Sequence, residues 1–175
     1  YIRPDLAPQC RPALSGWLGH KAPFAFDLDY TAGDGIDRMR CGTPPVLALA
    51  ALDAALDIWD MVDMDDLHAR SMELSERFIA GVEATCPDLR LAAPRDPLQR
   101  GSQVSFHFDE GYAAMQALIA RGVIGDFRAP NIMRFGFTPL YLNEADIDRA
   151  VAIIADVMQN ELWNDPAYMT RAAVT

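Results

Sequence analysis

The hydrophobic period of this chain changes at Pro87, and that change restricts the fold more than any single motif. Upstream, apolar residues recur at helical spacing. Thr43 is read as an N-cap, with Pro44 in the first turn where a missing N–H costs nothing. The run VLALAALDAALDIWD that follows is apolar almost all round until Asp53 and Asp57, which predicts a largely buried helix. Asp63, with Asp66 three positions on, restarts a helix through residues 67–86. Its positions Leu67, Met72, Leu74, Phe78, Ile79 and Val82 approximate one face. Downstream of Pro87 the period drops toward two. Leu89 and Leu91 suggest a short strand, and Val104–Phe108 alternates as a strand should. Residues 111–121 read as a helix ended by Gly122. Val123–Phe127 and Ile132–Phe137 are two more strands joined by the turn RAPN, and Asn143 caps a last helix with Ile147, Val151, Ile154, Val157 and Met158 on one stripe. The order from residue 44 is α-α-β-β-α-β-β-α, a small mixed or antiparallel sheet with helices on one face.

Residues 1–42 have no such period. They carry Pro4, Pro8, Pro12 and Pro23 and five glycines, so they read as loop and connector. Of the 175 residues, 51% are apolar, enough for a core, and the net charge of −10 argues against a nucleic-acid or anionic-membrane surface. No apolar run approaches the length of a membrane span. Cys10, Cys41 and Cys86 form no CxxC pair, and with His20, His68 and His107 they show no metal-ligand spacing. These features are those expected of a reduced, cytoplasmic protein that holds no metal. Asp60, Asp63, Asp65 and Asp66 fit a helix junction, where acids favour the N-terminal dipole. There is no phosphate-cradling lysine loop, GxGxxG or GxSxG.

Three places call for more than packing. Trp17, between glycines in SGWLGH, carries an indole N–H that serves either as a packing anchor or as a donor to an anion. Thr43, ahead of Pro44 and Pro45, either caps the helix or donates to a phosphate at its N-terminus. Arg134, flanked by apolar residues in a strand, needs a planar anion, which can be an internal carboxylate or that of a ligand. Arg128 is the weaker candidate and reads as positioning the turn. Lys21 is the single lysine of the chain and reads as a solvated loop residue.

Three segments, PALSGWLGH (12–20), RCGTPP (40–45) and GVIGDFRAPNIMRFGFTPLY (122–141), together resemble kynureninase in order and spacing. The resemblance runs from about Arg11 to Leu162. It implies an α+β / α/β fold, the C-terminal small domain of a type I pyridoxal-phosphate enzyme. Residues 1–42 would be the end of the large domain and a connector, 43–163 the small domain, and 164–175 a flexible tail. It implies hydrolysis of L-kynurenine, and possibly 3-hydroxykynurenine, to anthranilate and L-alanine in tryptophan catabolism and NAD biosynthesis. The implied form is a cytoplasmic homodimer using pyridoxal 5'-phosphate. By the same resemblance Trp17 and Thr43 contact the cofactor, Thr43 replacing an asparagine of some relatives, and Arg134 grips the substrate carboxylate. The family's aldimine-forming lysine belongs to a Tyr-Lys-Tyr-like motif expected upstream. The chain would then hold no catalytic residue and be inactive alone. Another aminotransferase class V enzyme, such as a cysteine desulfurase relative, shares the small-domain topology and a carboxylate-binding arginine. It does not usually share the GW-GH segment. A non-catalytic α+β interaction domain with a structural Arg134 is the remaining reading.

Overall fold

The computed structural model describes residues 1–170, which fall into two compact units divided between Met61 and Val62. In the first unit, Tyr1–Met61, 3-10 turns at Ala7–Gln9 and Gly35–Met39 are tied together by Arg38, whose Nη1 donates to the carbonyls of Pro8 (2.9 Å) and Cys10 (3.5 Å). Residues 19–33 fold back on themselves through an antiparallel bridge between His20 and Ala32 and a Gly33 N–H to Gly19 O bond of 2.8 Å.

The helix α1 spans Val46–Leu56 and starts later than the sequence reading placed it. Pro45 occupies the N-cap position and no side chain caps the helix, so Thr43 is not its cap. The reason lies in the double proline. A residue before proline is disfavoured in the helical region, so Thr43 and then Pro44 both resist starting the helix. The expectation of burial is also corrected, because every residue of α1 is exposed, Leu47 by 88%. An apolar run states how much surface would gain by leaving water. It does not specify what covers that surface.

The second unit carries α2 (Met64–Thr85), β1 (Arg90–Leu91), β2 (Gln103–His107), α3 (Gly111–Ile119), β3 (Asp126–Arg128), β4 (Ile132–Gly136) and α4 (Glu144–Gln159). The expected order of elements is present. The sheet order is β1-β2-β4-β3, with every neighbouring pair antiparallel. Asp63 caps α2 by accepting from the backbone N–H groups of Asp65 (2.9 Å) and Asp66 (3.1 Å). Asn143 and Asp146 form a reciprocal capping box at α4. β3 begins later than Val123, because the Val123 N–H bonds back to Leu118 O at 3.0 Å and finishes the turn leaving α3. Where a flexible tail was expected there is a helical turn, α5 (Pro166–Met169), with Tyr168 against the core. The last five tail residues, 171–175, lie outside the described part.

The core lies between the helices and one face of the sheet. Phe78 of α2 meets Phe106 of β2, Phe135 of β4 and Phe137 with ring centroids 5.1–6.1 Å apart. Val104 and Met133 point to the same side. Period-2 alternation therefore sends Gln103, Ser105 and His107 of β2, Arg134 of β4, and Asp126 and Arg128 of β3 to the opposite face. The connection between β1 and β2 is held by Arg100, whose side chain is only 2% exposed. It pairs with Glu76 and donates to the carbonyls of Pro94 (2.8 Å) and Arg95 (3.2 Å).

Arg100→Ala empties this buried socket and leaves backbone carbonyls without donors. It should lower unfolding stability by about 2 kcal/mol, read by denaturant titration. A change at the exposed Arg90, such as Arg90→Ala, should stay within about 0.5 kcal/mol of the parent.

Candidate functional site

The first unit presents Trp17 and Thr43 on adjoining segments. Gly16 makes this possible: at φ +61° its backbone lies so close to Cys41 that a Cβ there would sit 1.7 Å from the Cys41 carbonyl oxygen. Only glycine fits, both for conformation and for space. The Cys41 thiol donates to Leu14 O at 3.0 Å and closes the same junction. Trp17 is 50% exposed, with Phe24 edge-on at a centroid distance of 5.6 Å. Thr43 is exposed. Neither the Trp17 indole N–H nor the Thr43 hydroxyl has a hydrogen-bond acceptor among the described residues.

His20, in the same segment, is occupied structurally. The Ala22 N–H donates to its Nδ1 (2.9 Å), so Nε2 carries the proton and faces Asp29 O at 3.1 Å. Tyr30 packs edge-on against the ring and donates to Gly19 O at 3.0 Å. His20 thus braces the loop that displays Trp17. Lys21 is exposed in that loop.

Arg134 lies in the second unit, on the polar sheet face. Its strand neighbours are Ser105 on β2 and Asp126 on β3, each directly opposite. Asp126 takes the side edge of the guanidinium: Nε donates to Oδ1 at 2.6 Å and Nη2 to Oδ2 at 2.5 Å. Arg128 adds a second guanidinium, with Nη2 3.3 Å from the same Oδ2. The internal-carboxylate partner considered for Arg134 therefore exists, and it is Asp126. Nη1 of Arg134 donates to no acceptor among the described residues, so the end-on Nη1/Nη2 edge is open. Hydrogen bonding from Arg134 is the main cause holding the Asp126 carboxyl below the usual aspartate range, and the Arg134 guanidinium is raised in turn.

Asp126 escaped the sequence reading because Arg128 was assigned to the turn. Placing Asp126-Phe127-Arg128 antiparallel to Ile132-Met133-Arg134 would have put Asp126 opposite Arg134. Among the described residues, no helix is long and apolar enough to cross a membrane, and no group of three His, Cys, Asp or Glu is placed to hold a metal ion.

Residues 67–154, half of the chain, match the family described as the kynureninase C-terminal domain. The kynureninase of Burkholderia mallei (strain SAVP1) is 47% identical over 164 residues, covering 93% of this chain and 39% of its own length. That of Pseudomonas fluorescens is 44% identical over 173 residues, covering 98% and 41%. The chain thus spans about two fifths of the length of these curated relatives. Among solved structures, an apo cysteine desulfurase from Thermococcus onnurineus NA1 superposes with a TM-score of 0.74 at 15% identity, covering 91% of this chain and 42% of that one. The cystine C-S lyase C-DES, in complex with its reaction product cysteine persulfide, gives 0.72 at 23% identity, covering 89% and 41%. At these identities the two structures speak for the fold alone.

A depressed carboxyl stabilises the folded state above the ordinary aspartate pKa, and that contribution is lost as pH falls through the lower folded-state value. Arg134→Gln removes the main cause of the depression. Carbon-13 titration of the Asp126 carboxyl should show its midpoint rising toward the ordinary aspartate range, with only the weaker influence of Arg128 left. A midpoint unmoved by the substitution would mean the pair does not form in solution.

Proposed function

From the chain's membership of the kynureninase family, we propose that it is the C-terminal part of an enzyme that hydrolyses L-kynurenine to anthranilate and L-alanine. One observation carries the reading: Arg134, on the polar face of the sheet, keeps its end-on edge open. A planar carboxylate is the ligand that such an edge accepts through two parallel N–H···O bonds. In this proposal the edge binds the α-carboxylate of kynurenine and fixes the amino acid end of the substrate.

Trp17 and Thr43 fit a phosphate. Both offer a hydrogen-bond donor with no acceptor of its own, and Gly16 holds their segments together. We assign them to the phosphate of pyridoxal 5'-phosphate, consistent with the family. When bound, that cofactor supplies the electron sink that cleavage of the carbon–carbon bond requires. The chain's own residues contribute binding and orientation: Trp17 and Thr43 hold the phosphate, and Arg134 holds the carboxylate. Lys21, the single lysine, lies exposed in a loop. The proposal therefore draws the reactive amine from outside residues 1–175, and places the whole enzyme, as a homodimer, in the cytoplasm.

The test is anthranilate fluorescence on incubating the full-length enzyme with L-kynurenine; formation of L-alanine from cysteine without anthranilate would favour a desulfurase instead. Residues 1–175 alone should release no anthranilate. Arg134→Ala should raise the KM for L-kynurenine about 100-fold, the loss expected for a charged hydrogen-bonded pair, while the pyridoxal absorbance stays. Arg134→Lys keeps the charge but loses the fork, and should recover only part of the loss.

A further inference from the structure

We propose that Asp126 is a positioning residue that fixes the plane of the Arg134 guanidinium and so orients its open edge toward the substrate carboxylate. The proposal rests on the kynurenine reading above and extends it to a residue that touches no substrate itself.

The geometry separates the two edges of the guanidinium. Asp126 binds the side edge, Nε and Nη2, with both carboxylate oxygens. This bidentate pairing fixes rotation about the end of the arginine side chain, which a single hydrogen bond would leave free. The end-on edge is left to a second carboxylate. A competitor for the ligand would occupy the end-on edge, and Asp126 does not.

The backbone places Asp126 with little freedom. Asp126 and Arg134 are directly opposed residues of the β3–β4 pair. Immediately before it, Gly125 runs so close to β4 that a Cβ there would lie 2.6 Å from the Arg134 carbonyl oxygen and 2.8 Å from the Met115 methyl. Any side chain at 125 would push β3 away from β4 and draw Asp126 off the guanidinium.

The charges agree with the assignment. Arg128 also reaches Asp126, so two guanidiniums share one carboxylate and the group keeps a net positive charge. An anionic ligand is still attracted after Asp126 is satisfied. Were Asp126 alone with Arg134, the pair would be neutral and the carboxylate of the ligand would gain much less. The alternative is a cross-strand ion pair of purely structural use, which at this exposure would contribute little to stability.

The two roles separate in kinetics on the full-length holoenzyme. Asp126→Asn keeps the shape but removes the charge and turns an N–H₂ toward the guanidinium. The KM for L-kynurenine should rise about tenfold with kcat changed less than about threefold. The thermal midpoint should stay within a few degrees of the parent. Kynuramine, which is kynurenine without its carboxylate, should inhibit the parent and D126N equally, since the edge that Asp126 orients has nothing to bind. Asp126→Glu, which retains a carboxylate, should restore most of the KM. Asp126→Ser, smaller and uncharged, should give the same split as D126N and serves if that variant does not fold. An unchanged KM in a folded D126N or D126S would overturn the positioning role, as would an equal loss toward kynuramine. Parent enzyme that turns over no kynurenine would overturn the kynurenine reading itself, and this proposal with it.

Discussion

Everything the second unit displays follows from the alternation of β4. Met133 and Phe135 must bury their side chains against the helices, where Phe78 fills the space between them and β2. With period 2 along the strand, Arg134 has no route into that core and is delivered to the far face. The pairing of β4 with both β2 and β3 then fixes its neighbours, Ser105 on one side and Asp126 on the other. The arginine is placed by the hydrophobic effect acting on residues 133 and 135. A slip of one residue would bury a guanidinium and expose a phenylalanine, so the register of the site is protected by the energy of the core.

The legibility of this architecture in the sequence varied with the range of the forces involved. α2 and α4 could be read because Asp63 and Asn143 cap them by local hydrogen bonds and their apolar stripes recur within a few residues. The strands β2 and β4 could be read from alternation alone. Thr43 as a cap could not, because the steric effect of Pro45 on Pro44 competes with capping and wins. The pairing of Asp126 with Arg134 depended on which residues form a turn. One misassigned position, Arg128, concealed it. α1 shows the limit of composition: its apolar content was plain, and its exposure depends on contacts that no local pattern encodes.

The candidate site was legible in a different sense. Arg134 stood out because a charge among apolar residues requires an explanation, and the same argument applied to an indole between glycines. Physical chemistry alone allowed both a structural and a ligand-binding account for each. The structure shows Arg134 serving an internal carboxylate with one edge while the other stays open, so the two accounts are compatible. For Trp17 the packing account is weakest, since half of the ring is exposed and its N–H is without an acceptor.

The contact between Gly16 and Cys41 also bears on how such a chain can change over generations. Because the Cys41 carbonyl fills the space a side chain would need, position 16 cannot vary unless the backbone at 41 moves with it. Positions 17 and 43 flank this contact and are exposed. The side chains at these two positions can therefore be exchanged while the close approach of their segments is kept. Sequence drift can change which side chains these segments display without having to rediscover where they stand.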